Sequence, residues 1–251
     1  MSADKIVVTD VHKSFESQKG ALPVIGGVSF SVADGEFVAI VGPSGCGKST
    51  LMNIIAGFER ADRGVARVDG AEHAGPSPRG IVISQHGSVF PWLTVQQNLM
   101  FGLNGDSHGR VHKDRAALAD HYAEMVGLKG FESSYPHELS GGMLKRAELA
   151  RALVVKPDIL YMDEPFSALD ALMNLRMRTE LLRILGEERH TVLLITHDVE
   201  EAIYMADRIM VLSPRPTTIQ ASFQVNLPHP RKMSSPQAQT LREDILKELG
   251  L

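Results

Sequence analysis

The chain is poor in cysteine: Cys46 is the single thiol among 251 residues. One thiol excludes an intrachain disulfide framework and fits a reducing compartment. Long hydrophobic runs are also missing, since no uninterrupted apolar stretch approaches the roughly 20 residues that cross a bilayer. The opening MSADKIVV lacks a signal-peptide pattern, so a cytoplasmic location is expected. An excess of positive charge is absent too. The formal net charge is −4, which argues against nonspecific nucleic-acid binding as the main task. There is no internal repeat and no low-complexity tract. What remains is ordinary globular material, 43% hydrophobic and 22% charged. A chain of this length buries one large core, or a core plus a subdomain.

Against that background one run stands out. Residues 42–50 read GPSGCGKST and fit G-x-x-x-x-G-K-[ST] with Gly42, Gly47, Lys48 and Ser49 at the fixed positions. EFVAIV before it is a strand candidate, and LMNIIAG after it reads as the start of a helix. Strand, loop and helix are the setting this motif needs. Gly42, Pro43, Ser44, Gly45, Cys46, Gly47, Lys48, Ser49 and Thr50 would wrap a phosphate with backbone N–H groups and a helix N-terminus. Lys48 adds a mobile positive charge at the β- and γ-phosphates, and the Ser49 hydroxyl is a ligand for Mg²⁺. Cys46 reads as small filler, because no second thiol exists to resolve an oxidised one. The motif marks a nucleotide-binding protein.

Elsewhere KIVVTDVHKSF, PVIGGVSFSV, GEFVAIV, GVARVD and GIVISQ are strand candidates, with one helix over about 48–57 among them. From Pro91 to about Lys156 helical spacing takes over, with Thr94 as a cap for TVQQNLMFGL and NGDSHGR as a polar loop. Strands then alternate with helices: DILYMDEP, ALMNLRMRTELLRIL, TVLLITH, VEEAIYMA and RIMVLS. The expected fold is α/β, with a mainly parallel sheet, a separate antiparallel β subdomain from the early strands, and an inserted helical subdomain. The expected divisions are 1–90, 91–156, 157–214 and a C-terminal extension, 215–251. That extension holds a strand candidate, a proline-rich turn, and a helix with an apolar stripe of Leu241, Ile245, Leu246 and Leu249.

Two further runs carry chemistry. ILYMDEP sets Asp163 and Glu164 after four apolar residues, at a strand end where α/β proteins bind ligands. Asp163 suits a Mg²⁺ ligand and Glu164 suits a base that polarises water. LSGGMLKR, residues 139–146, is a second small-residue turn opening a helix, with Ser140 as N-cap ahead of Gly141 and Gly142. Two anion-binding helix starts in one chain are reconciled by a head-to-tail dimer, each subunit's second site closing over the other's nucleotide.

GPSGCGKST, Gln85, LSGG at 139–142, DEP at 163–165, SALD at 167–170 and His197 together resemble the ATP-binding-cassette ATPases in order and rough spacing. The resemblance spans nearly the whole chain and implies a P-loop NTPase core with an inserted signature subdomain. It implies that Phe15 stacks on adenine and that Gln85 touches Mg²⁺ or the lytic water. It implies that Ser140, Gly141, Gly142 and Asp170 act in trans across the dimer seam, and that His197 bonds the γ-phosphate. The alternatives are a core role for Phe15, a buried structural role for His197 and an ordinary strand-end amide for Gln85. Met143 and Lys145 depart from the glutamines usual in the signature, and QHGSVF departs from the pattern expected after Gln85. PWLTV, DEPFSALDALMNLRMR, THDVEEA, LSPRP and the VNLPHPR tail resemble the branch of importers for nitrate, sulfonates and taurine.

The resemblance implies ATP and Mg²⁺ as cofactors and a homodimer peripheral on the inner face of the membrane. It also implies membrane-spanning permease subunits and, indirectly, an extracytoplasmic solute-binding protein; His86 and 89–92 are expected to face the permease. The competing classes are a soluble ATP clamp on a nucleic-acid or ribosomal partner and a non-hydrolysing regulatory cassette.

Overall fold

Apolar runs bounded by turns fold as strands here, and apolar residues three and four apart fold as helices. The computed structural model describes residues 4–18, 20–72, 75–77, 79–84, 89–103, 114–167, 169–187 and 190–251. In chain order come β1 (Asp4–Ser17), β2 (Gly20–Ala33), β3 (Phe37–Val41), α1 (Lys48–Ala56), β4 (Arg63–Val68), β5 (Ala71–Glu72) and β6 (Gly80–Ile83). Next are α2 (Val95–Leu103), α3 (Arg115–Met125), a short 3₁₀ turn (Pro136–Glu138), α4 (Gly141–Leu153), β7 (Ile159–Asp163) and α5 (Ala171–Glu187). They are followed by β8 (Thr191–Ile195), α6 (Val199–Met205), β9 (Arg208–Leu212), β10 (Ile219–Gln224) and α7 (Pro236–Glu248). Two compact units result, one from Met1–Ser77 with Thr191–Leu251 and one from Pro78–His190.

In the first unit β2, β1, β4 and β5 form an antiparallel sheet in that order, the separate sheet expected from early strands that do not alternate with helices. Ile6, Val8 and Val11 of β1 are buried, and the two-residue alternation slips between Val8 and Val11. Asp10 sits at that bulge with φ 47. Opposite it only glycine fits, since a Cβ on Gly64 would lie 2.1 Å from the Asp10 carbonyl oxygen.

The same unit sets β3 between β8 and β9, parallel to both, and lays β10 antiparallel on β9. Every residue of β3 and β8 is buried, the unbroken apolar run of parallel strands covered on both faces. Helix α7 packs on α6, with Ala238 and Ile245 buried and Leu241, Leu246 and Leu249 half-buried. The apolar stripe of the tail is thus covered within its own chain.

Arg231 ties that tail down. Its guanidinium, 6% exposed, donates to the carbonyls of Leu227 (3.1 Å), Ile203 (2.8 Å) and Ala206 (2.6 Å). It therefore satisfies carbonyls at the end of α6 that the helix leaves unpaired. Arg231→Met strands them, and the expected cost is about 1–3 kcal/mol. Urea unfolding measures it, and a midpoint equal to wild type refutes the role.

In the second unit β6 and β7 pair in parallel. Helices α2, α3 and α4 pack together around Leu99, Ala119, Ala123, Leu149 and Leu153, all buried. Thr94 caps α2, accepting from the Gln97 amide at 3.3 Å. The NGDSHGR loop and Gln85 lie outside the described residues. No helix among the described residues is long and apolar enough to cross a membrane.

Candidate functional site

β3 delivers the chain at Val41 into residues 42–47, which turn it into α1. Gly47 is the N-cap of α1 with φ 119, and a Cβ there would meet Val24 Cγ1 at 2.7 Å. Backbone and space both demand glycine. Cys46 is 2% exposed, with its Sγ 3.2 Å from the place of a Cβ on Gly42, so the thiol is packing. Lys48 is 7% exposed and donates to the carbonyls of Gly42 (2.9 Å) and Pro43 (3.0 Å). No carboxylate among the described residues forms an ion pair with it, and the first turn of α1 carries no acid. A buried ammonium balanced only by neutral carbonyls, at an uncompensated helix N-terminus, is a place made for an anion. Ser44, Gly45 and Ser49 are exposed on this loop, and Pro43 and Thr50 are half-buried.

His197 is exposed, two residues beyond the end of β8. Its neighbours are fixed: Thr196, buried, donates to Glu201 Oε2 at 2.7 Å and accepts from the Asp198 amide at 3.0 Å. Asp198 caps α6, accepting from Glu200 N at 2.9 Å and Glu201 N at 3.2 Å. This is a rigid loop presenting one imidazole outward, and His197 is no core residue. Phe15 on β1 is not core either, being 39% exposed opposite Leu22 of β2. The Lys13 ammonium stands 5.2 Å from its ring centroid. Glu59 and then Asp62 raise the pKa of that ammonium and hold it in place.

In the second unit Asp163 ends β7 and is 8% exposed, behind four fully covered residues. Glu164 follows with φ 48, a strained conformation for a side chain of its size. Its carbonyl accepts from Ser167 N at 3.3 Å and Ser167 Oγ at 3.0 Å, and Phe166 is buried beside it. Asp170 caps α5, its Oδ1 accepting from Met173 N at 2.9 Å.

Ser140 is exposed and caps α4, accepting from Met143 N at 3.3 Å. A Cβ on Gly142 would come within 3.4 Å of Leu169 Cδ2, whereas one on Gly141 would meet nothing within 4 Å. Arg146 donates to the carbonyls of Val126 (2.9 Å) and Gly127 (2.7 Å). Burial lowers its pKa while the charge of Asp170 opposes the shift. Lys145 is buried, bonding Glu148 Oε2 at 2.9 Å and the Ser84 carbonyl at 2.6 Å.

Several contributors have no local signature. Thr217 and Arg215 hold carbonyls of the 42–50 loop from far along the chain. Asn98 is fully buried and staples 90–94, bonding Phe90 N (2.8 Å) and the carbonyls of Phe90 (3.1 Å), Leu93 and Thr94 (both 3.0 Å). Its signal was legible in retrospect: an amide on the apolar face of α2, in line with Val95 and Leu99. The staple supports an aromatic group, with Phe90 5.4 Å from Trp92 and 4.6 Å from Phe101 between ring centroids. Arg151 lies over Phe90 at 4.8 Å.

Loop, helix and sheet define an α/β P-loop nucleotide-binding protein. Comparison with known proteins gives the family. The profile of the ABC transporter family matches residues 25–167. The nitrate import ATP-binding protein NrtD of Synechocystis sp. is 43% identical over 88% of this chain and 82% of its own length. The aliphatic sulfonates import ATP-binding protein SsuB of Bacillus cereus is 39% identical over 97% of this chain and 95% of its own. A dimeric post-hydrolysis state of the ATP-binding cassette MJ0796, bound to ADP and Pi, aligns with a TM-score of 0.80. That match has 27% identity and covers 88% of this chain and 99% of the other. The chain belongs to the ABC transporter family and is its ATPase cassette, which binds and hydrolyses ATP.

Proposed function

We propose that this chain is the ATP-hydrolysing subunit of a bacterial importer for a small solute such as nitrate, a sulfonate or taurine. The reading rests above all on Lys48, a buried cation at the start of α1 with no acidic partner among the described residues. It rests also on the names of NrtD and SsuB, both import ATP-binding proteins. In this reading residues 42–50 hold the phosphates and Phe15 takes the adenine face. Ser49, Asp163 and Gln85 are the Mg²⁺ ligands, a hydroxyl, a carboxylate and an amide, and oxygen donors of this kind fit a hard cation. Bound Mg²⁺ supplies charge neutralisation at the phosphates. Glu164 orients and deprotonates the attacking water, and His197 bonds the γ-phosphate.

Two copies work head to tail, Ser140, Gly141, Gly142 and Asp170 of each reaching the other's nucleotide. Gly141 favours this arrangement, because neither a positive φ nor any neighbour within 4 Å requires glycine there in a single chain. A partner's phosphate supplies the reason. ATP closes the dimer only as far as it binds the closed state better, and loss of the γ-phosphate removes the clamp.

The exposed Trp92 and Phe101, at 69% and 51%, with Phe90 between them, form the face offered to the permease. The solute-binding protein is reached only through that permease, on the other side of the membrane. Residues 91–156 are the helical signature insertion between core segments 1–90 and 157–214, with 215–251 as the extension.

The decisive experiment is a pull-down of tagged Glu164→Gln protein from native membranes with ATP and Mg²⁺. The expected companion is a multi-span membrane protein. A soluble or ribosomal companion instead overturns the transport assignment and leaves the ATPase standing.

A further inference from the structure

A loop that turns its N–H groups inward toward a phosphate must turn carbonyls outward, and those carbonyls need donors of their own. Here Lys48 serves the Gly42 and Pro43 carbonyls from within the motif, while those of Gly45 and Cys46 find their donors in one distant segment, residues 213–217 between β9 and β10. Thr217 Oγ1 donates to the Cys46 carbonyl and Arg215 Nε donates to the Gly45 carbonyl. We propose that this segment is an external brace of the phosphate loop, with Thr217 and Arg215 as positioning residues for nucleotide binding. The inference rests on the reading of 42–50 as the ATP site.

The brace is itself anchored on two sides. Thr217 is fully buried, its N–H donating to the Val24 carbonyl at 2.9 Å and its carbonyl accepting from Gly26 N at 2.8 Å. That fixes the segment to β2. Leu212, at the end of β9, lies 3.1 Å from the place of a Cβ on Gly42, so the loop's first glycine meets the same strand that feeds the brace. Ser213 and Thr218 close the segment on itself, Ser213 N donating to the Thr218 carbonyl at 3.0 Å and Thr218 N to Ser213 Oγ at 3.0 Å. Arg215 is exposed between two exposed prolines, Pro214 and Pro216, its guanidinium 3.0 Å from the place of a Cβ on Gly45. A loop held this way loses less freedom when it takes up a phosphate, and preorganisation of that kind appears as affinity.

Thr217→Val keeps the shape and removes the hydroxyl, leaving a buried carbonyl without its donor. The test is titration of the purified full chain with a fluorescent ATP analogue and Mg²⁺, beside steady-state ATPase kinetics and urea unfolding. Thr217→Val is expected to raise Kd and KM about tenfold with kcat within twofold of wild type, and Thr217→Ser to restore both. A merely structural role lowers the urea midpoint and leaves the Kd of the folded protein unchanged, and that result overturns the proposal. Should Thr217→Val not fold, the exposed Arg215→Ala carries the test, with a rise in Kd of about threefold expected and no change overturning it. Lys48→Ala is the control: if it binds as wild type does, the ATP site itself is misassigned, and if it alone loses binding, only the brace fails.

Discussion

Glu164→Gln is expected to slow ATP hydrolysis by roughly 10²- to 10⁴-fold while ATP binding stays near wild type. The amide keeps the size and the hydrogen-bonding reach of the side chain and loses only the ability to take a proton from water. The backbone argument strengthens the expectation. Glu164 holds φ 48, a conformation that costs about 1–3 kcal/mol for a residue with a side chain and persists only where its surroundings enforce it. Ser167 enforces it by binding the Glu164 carbonyl twice, and buried Phe166 anchors the turn. Gln meets the same constraint, so the carboxylate's aim is preserved and the change isolates proton transfer. Phosphate release at saturating ATP reads the rate, and equilibrium titration reads the binding. Wild-type turnover would remove Glu164 from the mechanism.

Lys145→Met is expected to destabilise the second unit by about 3–5 kcal/mol, because it abandons a buried charge. Glu148 is 2% exposed and its Oε2 lies 2.9 Å from the Lys145 ammonium, while the Ser84 carbonyl depends on the same group at 2.6 Å. Arg151 also feels the charge of Glu148 and offsets part of the loss, which places the effect toward the lower end. Removing both charges is a different matter. Lys145→Met with Glu148→Leu removes both charges of the pair and leaves the Ser84 carbonyl without the Lys145 donor, so part of the stability should return. Thermal or urea unfolding of the single and double variants decides it. Equal stability of the two would show that no ion pair needs breaking.

The residues legible in the sequence are those whose reason is local. GPSGCGKST betrays itself because its constrained residues, Gly47, Lys48 and Ser49 among them, lie within a few consecutive positions. Asp163 and Glu164 betray themselves because four apolar residues before two acids mean a buried strand ending at a ligand edge. The separate antiparallel sheet followed from early strands that do not alternate with helices, a single helix standing among them. Ser140, Thr94 and the tail stripe were equally open, each being a cap or a periodicity. What stayed hidden depends on distance along the chain. Thr217 in SPRPT looks like any turn threonine until β9 returns it to Cys46, and Arg231 looks solvated until α6 surrounds it with carbonyls. Lys145 reads only as a departure from the glutamine usual in the signature, and the packing of α4 on β6 buries it. Phe15 and His197, for which the sequence leaves a core role open, are both exposed.

The hydrogen bonds from Arg215 and Thr217 span 170 and 171 residues, and both neighbours of β3 belong to the part of the chain after residue 190. At synthesis rates of roughly 5–20 residues per second, about 10–30 s pass between making the loop and making the groups that hold it. A growing chain thus displays every letter of its nucleotide motif long before the motif has walls. With 42–50 read as the ATP site, ATP is expected to leave an early fragment unstabilised and to protect only once the last fifth of the protein is made. Truncation a few residues short of Arg215 should therefore leave a product that degrades whether nucleotide is present or not.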